Sequence, residues 1–231
     1  MHDKNKKIDI GSDFKTVEVI KGRKLILNEV QQKIPTFLYE SIEENWKRRI
    51  KKNPNLYPGI VFGLKSIKST NKEIEINYFK TNYKLVAASR SFHVPGYEYF
   101  IGIRGVSLYV DEYVLMGKRN LHSYPMPGLW EPLPGGLLDP KDFEYEGNPL
   151  SNAFIREFYE ETPDCKILEA KPVLIRLSKK HASMDVVFLC HFRNVPKLHP
   201  EHQTIKLVHK DFIELAYLTD PGLIIEARKF I

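Results

Sequence analysis

One short segment, NAFIREFYEET at Asn152–Thr162, constrains the fold of this chain more than any other. On a helix of 3.6 residues per turn, Phe154, Ile155 and Phe158 share one side, which is expected to be buried against another layer of structure. Three carboxylates share a different face, at spacing i, i+3 and i+4: Glu157, Glu160 and Glu161. Because like charges at this spacing destabilise a helix, we expect a positive partner close to them.

The elements predicted on either side of this segment are strands, so the helix is expected to pack on a sheet. It should cover Pro149–Glu161, with Asn148 or Ser151 as its N-cap and Pro163 beyond its end. Three strands before it and three after it are predicted: Tyr97–Arg104, Val106–Tyr109, Tyr113–Arg119, Pro172–Leu177, Met184–Phe192 and Ile205–Val208. With a closing helix at Pro221–Phe230, this order predicts an α+β fold in which helices sandwich a mixed sheet.

The first 92 residues are predicted to form a small α+β unit in front of this arrangement. Alternation over Thr16–Val30, with Gly22 as a turn, indicates a hairpin. A helix over Ser41–Lys52, capped by Ser41, precedes two strand-like segments: Gly59–Lys65 and Glu73–Lys80. The chain is therefore expected to divide into residues 1–92 and residues 93–231.

Composition limits the classes of function that remain. The chain has 231 residues, of which 42% are hydrophobic, and no apolar run is long enough to cross a bilayer. Its two cysteines, Cys165 and Cys190, exclude a disulfide framework, and the charged first residues differ from a secretory signal, so we expect a cytoplasmic protein without membrane contact. The net charge of +6 suits a polyanionic partner, either nucleic acid or a small phosphorylated ligand.

The acidic helix has two interpretations. It is either a solvated face whose repulsion is eased by Arg156, four residues before Glu160, or a site for a hard divalent cation such as Mg²⁺ or Mn²⁺. The preceding loop favours the cation. Gly135 and Gly136 lack a Cβ and can adopt positive φ, so backbone at this turn can approach a metal ion or a phosphate closely.

Two segments together resemble the Nudix box: LPGG at residues 133–136 and REFYEET at 156–162. That box consists of a glycine pair, a spacer, and then Arg-Glu-apolar-any-Glu-Glu. The flanks VSLYVDEYVLMGKRN at 106–120 and PGLWEPLPGG also resemble the segments that lead into that box. The resemblance covers about residues 97–215 and implies the Nudix-type α/β/α sandwich. Two features depart from the pattern. The spacer is six residues longer and lacks its glutamate, for which Glu144 or Glu146 could substitute, and Pro163 replaces a glycine.

The resemblance implies a hydrolase that cleaves the pyrophosphate bond of a nucleoside diphosphate linked to another group. By position, the three glutamates and the Gly136 carbonyl would bind Mg²⁺ or Mn²⁺, and Gly135 and Gly136 would approach the phosphate chain. Arg156 would orient a glutamate through a charge-assisted hydrogen bond. Glu201, on a late loop, is a candidate general base or extra ligand. His199 and His202 beside it have a spacing that also occurs in metal sites, although the simpler expectation for them is a solvated loop.

Part of the chain also resembles one group of Nudix enzymes, those that hydrolyse UDP-sugars. The resemblance lies in residues 46–66 and 76–90 and in the later PGGLLDP segment. That resemblance implies cleavage of UDP-glucose or UDP-galactose to UMP and a hexose 1-phosphate, with ADP-ribose or another nucleoside diphosphate derivative as the alternative substrate. Trp46 and Tyr83 are expected to pack in the core. A catalytically silent nucleotide-binding domain and an RNA-binding protein are further alternatives, but we find no RNA-binding motif. The sequence leaves open whether the first 90 residues shape the pocket or form a homodimer.

Overall fold

The computed structural model describes residues 14–20, 22–121, 128–179, 181–197, 202–213, 223–224 and 229–230. Within these residues the chain forms one mixed sheet of 11 strands. The elements of the first part are β1 (Phe14–Val19), β2 (Lys24–Glu29), α1 (Tyr39–Lys52), β3 (Ile60–Ser69), β4 (Glu73–Asn82) and α2 (Tyr83–Ser89). The elements that follow are β5 (Phe100–Tyr109), β6 (Tyr113–Arg119), β7 (Trp130–Pro132), β8 (Gly135–Leu137), α3 (Pro149–Glu161), β9 (Lys166–Ser178), β10 (Ser183–Arg193) and β11 (His202–His209).

The main path of the sheet has the order β1-β9-β10-β5-β3-β4-β2, and β5 also pairs with β6 and β8. The β10–β5 and β2–β4 pairs are parallel, and the other pairs are antiparallel. The hairpin predicted over Thr16–Val30 is therefore wrong: β1 pairs with β9, and β2 pairs with β4. Alternation identifies a strand that is buried on one face, but it does not identify the strand's partner.

Strands from both predicted units belong to this one sheet. β3 joins β5 through the Gly63–Phe100 pair, and β1 lies beside β9, which belongs to the second predicted unit. The division at residue 92 stays a prediction, and the strands on its two sides are hydrogen-bonded to one another. As a result, the segments of the first 92 residues lie close enough to the acidic helix to contribute to a site beside it.

Helices cover both faces of the sheet, which confirms the predicted sandwich. Side chains alternate along β5, so Phe100 packs with α1 and α2, whereas Ile101 and Ile103 pack with α3. Phe154 and Phe158 of α3 are fully buried against that second face, whereas Ile155 is 43% exposed, so its predicted burial with them is wrong. Since the apolar stripe of α3 faces the sheet, its polar side is left for other contacts.

Several boundaries agree with the predictions and some do not. Helix α3 begins and ends as predicted, whereas α1 begins two residues earlier than Ser41 and has no side-chain cap. Helix α2 was not predicted, and it is an apolar element with Leu85 and Val86 fully buried. The closing helix predicted at 221–230 lies largely outside the described residues. Among the helices that the structure does describe, none is long and apolar enough to span a membrane.

Candidate metal and phosphate site

The orientation of α3 is fixed by its N-cap and by its buried face. Of the two N-caps left open by the sequence, the chain uses Asn148, whose side-chain oxygen accepts a hydrogen bond from the Leu150 N–H at 3.0 Å. The Asn148 amide also donates to the Leu25 carbonyl at 2.9 Å. Phe154 stacks on Phe188 with ring centroids 4.7 Å apart. These contacts set the rotation of α3, so that its acidic face is directed toward β8 and the segment after it.

Gly136 lies where the carboxylate of Glu157 meets β8. A Cβ at Gly136 would overlap Oε1 of Glu157, so glycine alone admits the carboxylate this close to the backbone. The Gly136 carbonyl oxygen lies beside β5, 2.7 Å from the position of a Cβ at Gly102. Neither Gly135 nor Gly136 is among the glycines with positive φ. The glycine pair therefore serves close approach, and neither residue uses the positive φ that glycine can adopt.

Arg156 joins the acidic helix to the loop in front of it. Its Nε and one terminal nitrogen donate to both oxygens of Asp142, at 2.8 and 3.1 Å. The other terminal nitrogen donates to Glu157 at 2.8 Å and to Glu160 at 3.2 Å. A further bond reaches the Leu137 carbonyl at 3.1 Å. Arg156 is thus the positive partner expected for the glutamates, and two of their carboxylates converge on one of its nitrogens.

The same contacts keep Arg156 charged. Burial lowers the pKa of its guanidinium, but the hydrogen bonds to Asp142 and the negative charge of Glu157 raise it by more, so that the pKa lies above its ordinary value. A permanently charged side chain at this position eases the repulsion between neighbouring carboxylates on α3.

Asp142 is the site residue that the sequence interpretation missed. It is fully buried in a 3-10 turn at Pro140–Phe143, where its carboxylate also accepts the Asp139 N–H at 2.8 Å. The expected substitutes, Glu144 and Glu146, are exposed, so that expectation is wrong. Counting forward from Gly136, rather than back from Arg156, would have found Asp142 at the sixth position. The inserted residues therefore lie between Asp142 and α3, and the partner of Arg156 is kept.

Glu161 is separated from the other two glutamates. It is 4% exposed, and its Oε2 lies 3.9 Å from Nε2 of His202, which is 6% exposed at the start of β11. Gly117 of β6 makes room for the imidazole, since a Cβ there would lie 2.9 Å from Cδ2 of His202. The expectation of three carboxylates presented together is wrong for Glu161, and the expectation of a solvated loop is wrong for His202. The candidate base Glu201 lies outside the described residues, as does His199.

A second charged cluster lies on the neighbouring strands. Glu131 of β7 is 4% exposed and accepts hydrogen bonds from Arg104 at 3.0 Å and from Arg119 at 2.6 Å. Arg104 also contacts the glycine pair, since a Cβ at Gly135 would lie 2.5 Å from one of its terminal nitrogens. Two arginines on one buried carboxylate give this cluster an excess of positive charge directly beside the glycine turn.

A cavity of about 350 Å³ opens beside Glu157. Arg156, Glu157 and Asp139 line it together with residues of the segment between α1 and β3. This volume is at the lower end of the range for small-molecule sites. The arrangement therefore combines a charged wall with space for a ligand.

Comparisons with known proteins give resemblances to solved structures only. No protein-family model matches the chain, and no curated protein does. A MutT protein from Methanosarcina mazei Go1 is 20% identical, with 57% of this chain and 94% of that chain covered and a TM-score of 0.44. A Nudix hydrolase from Nitrosomonas europaea is 17% identical, with 56% and 72% covered and a TM-score of 0.42. The Nudix domain of Shewanella oneidensis NrtR, solved with ADP-ribose, is 19% identical, with 56% and 86% covered and a TM-score of 0.38.

Proposed function

We propose that this protein is a divalent-cation-dependent hydrolase of the Nudix type that cleaves the phosphoanhydride bond of a nucleoside diphosphate-linked substrate. The proposal depends on one observation. At the edge of the cavity, the Glu157 carboxylate occupies the space in which any residue other than glycine at position 136 would have its Cβ. A carboxylate held against a glycine turn brings an oxygen ligand to the place where backbone can approach a phosphate chain.

The donor groups fit a hard cation such as Mg²⁺ or Mn²⁺. One nitrogen of Arg156 holds the carboxylates of Glu157 and Glu160 side by side, and a carboxylate has lone pairs for a cation in addition to one such hydrogen bond. Among the described residues, no three His, Cys, Asp or Glu side chains are grouped so that they could hold a metal ion. A protein site with one or two carboxylates is nevertheless usual for Mg²⁺, whose other ligands are water and substrate phosphates. Glu161 and the Gly136 carbonyl stay further proposed ligands.

When bound, the cation would neutralise the charge of the diphosphate and lower the pKa of a bound water. The residues of the chain supply the geometry. Asp142 fixes the guanidinium of Arg156 through hydrogen bonds to Nε and to one terminal nitrogen. Arg156 in turn holds Glu157 and Glu160 beside the glycine turn. Arg104 lies beside that turn and Arg119 shares Glu131 with it, so their positive charge can attract a polyanion.

We further propose a UDP-sugar, UDP-glucose or UDP-galactose, as the substrate, with UMP and a hexose 1-phosphate as products. The support is the resemblance of residues 46–66 to UDP-sugar-hydrolysing enzymes, together with the position of residues 55–61 at the cavity. ADP-ribose is the alternative. We also propose that the protein acts in the cytoplasm and needs no nucleic-acid partner.

The test is a panel of UDP-glucose, UDP-galactose, ADP-ribose and nucleoside triphosphates, each incubated with Mg²⁺ or Mn²⁺ and analysed for products. We expect turnover of one nucleoside diphosphate derivative and loss of that turnover with a chelator. Glu160→Gln should lower the rate roughly 10²-fold or more, which corresponds to the loss of one carboxylate at the transition state. No turnover of any compound would refute the hydrolase, and full activity of Glu160→Gln would refute its role as a ligand.

A further inference from the structure

More than half of the residues that line the cavity come from the segment between α1 and β3, from the first two residues of β3, and from Tyr83 at the start of α2. We propose that this wall is a subsite for a nucleobase, with the Tyr57 ring as its stacking platform; the proposal rests on the phosphoanhydride substrate proposed above. A planar base at this wall would place the phosphates of the same ligand toward Arg156 and Glu157, which line the same cavity.

Tyr57 presents an unusually open aromatic ring. Tyr57 is 73% exposed, and its ring lies against Gly59. A Cβ at Gly59 would come within 2.6 Å of the ring atom Cε2. The glycine thus lets one part of the ring rest on the backbone and leaves the remainder free. Aromatic rings with an accessible face bind bases by stacking, and this works for every base because each has a π-face.

Local hydrogen bonds and two prolines restrain the segment that carries Tyr57. The side chain of Asn53 accepts a hydrogen bond from the Asn55 N–H at 3.2 Å, and the Asn53 carbonyl accepts one from the Leu56 N–H at 3.2 Å. Pro54 and Pro58 restrict the backbone on both sides of the tyrosine. A platform held in this way loses little conformational entropy when a ligand stacks on it.

Tyr83 completes the aromatic wall from α2. Its N–H donates to the Gly59 carbonyl at 2.9 Å, which ties the start of α2 to the Tyr57 segment. Its ring packs edge-on against Trp46, 6.4 Å between centroids, and its hydroxyl accepts a hydrogen bond from Arg90 at 3.3 Å. Trp46 is buried as expected, whereas Tyr83 both packs on the core and lines the cavity.

Asn55 gives the same wall a polar edge. It lines the cavity, and its side-chain amide offers both a donor and an acceptor, as the edges of nucleobases do. A volume of about 350 Å³ suits one base with its sugar rather than two bases. Stacking on Tyr57 then provides affinity for any base, and Asn55 is a polar group of this wall that can distinguish among them.

The experiment measures binding rather than turnover. Affinities for UMP, AMP and ribose 5-phosphate are determined by isothermal titration calorimetry with Mg²⁺ present, for the full chain and for Tyr57→Ala, Tyr57→Phe and Tyr39→Ala. Tyr39 is a half-exposed tyrosine of the same region and does not line the cavity. We expect Tyr57→Ala to weaken UMP and AMP roughly tenfold or more, and to leave ribose 5-phosphate unchanged.

Tyr57→Phe and Tyr39→Ala should bind all three compounds as the unaltered protein does. Three outcomes would each overturn the nucleobase subsite. Tyr57→Ala could weaken ribose 5-phosphate binding as much as UMP and AMP binding, or it could leave the affinity for UMP and AMP unchanged. The third outcome is an unaltered protein that binds UMP no better than ribose 5-phosphate. If the expected pattern appears in a protein that cleaves none of the panel compounds, the hydrolase proposal fails and the subsite stands. Circular dichroism of each variant confirms that the fold is retained.

Discussion

Replacing Gly136 with alanine is expected to remove most of the activity while the fold stays intact. The added methyl group would overlap Oε1 of Glu157, and the carboxylate has to move by roughly 1 Å or more to restore an ordinary contact. The atom that is displaced ends a flexible side chain, so the free energy of unfolding should change by less than about 1 kcal/mol. A misplacement of about 1 Å can lower a rate roughly 10²-fold, or about 2.7 kcal/mol in activation free energy.

The assay is kcat/KM for the substrate that the panel identifies, with urea unfolding as the measure of stability. Glu157→Ala and the double variant provide the matched control, because Gly136→Ala should act only through the carboxylate that it displaces. The double variant is therefore expected to be as slow as Glu157→Ala and no slower. An alanine at 136 that keeps the full rate, or that slows the Glu157→Ala enzyme further, would contradict this reasoning.

Three other changes have expected outcomes. Asp142→Ala leaves part of the Arg156 guanidinium and the Asp139 N–H without a partner, while Glu157 and Glu160 still pair with the cation, so urea unfolding should show a loss of about 1–3 kcal/mol. Phe154→Ala empties a fully buried site and should also cost about 3–5 kcal/mol, whereas Ile155→Ala on the exposed side of α3 should cost less than about 1 kcal/mol by the same measurement. Burial raises the pKa of Cys165 to about 11 and that of Cys190 to about 12, so neither thiol should react with a disulfide reagent at pH 8 before unfolding. Because the thiols of the unfolded chain lose their protons at lower pH than those of the folded chain, the free energy of unfolding should fall as the pH rises above about 9. Fast labelling of the folded protein would contradict the burial of these thiols, and so would a free energy of unfolding that stays constant above pH 9.

The acidic helix could be predicted from the sequence because its signals are local. The cap at Asn148, the proline that follows it and the apolar spacing of Phe154 and Phe158 all lie within or next to the helix. The proximity of the glycine pair to α3 could be predicted only through the resemblance, since the two are separated by a spacer of unusual length. The structure adds the reason for Gly136, which is the room it leaves for Glu157.

Strand partners and buried charges could not be predicted in the same way. β1 is a short strand, and its partner β9 is more than 140 residues away in the chain. Asp142 belongs to a turn whose capping box fixes it locally, and its role as the partner of Arg156 depends on how the inserted residues are folded. Interactions of this kind arise from tertiary packing, which periodicity and composition do not describe.

Glu161 shows where helical periodicity stops being informative about the site. It lies on the same stripe as Glu157 and Glu160, yet β11 packs His202 over it and removes it from solvent, whereas the Glu160 side chain is 57% exposed. Of the three, Glu157 is the one that lines the cavity. The pairing of β11 with β6, rather than the period of α3, therefore decides which carboxylates are open to the cavity and the solvent. A cation beside the diphosphate would reach Glu157 and Glu160 first, and phosphate oxygens and water would have to complete its coordination.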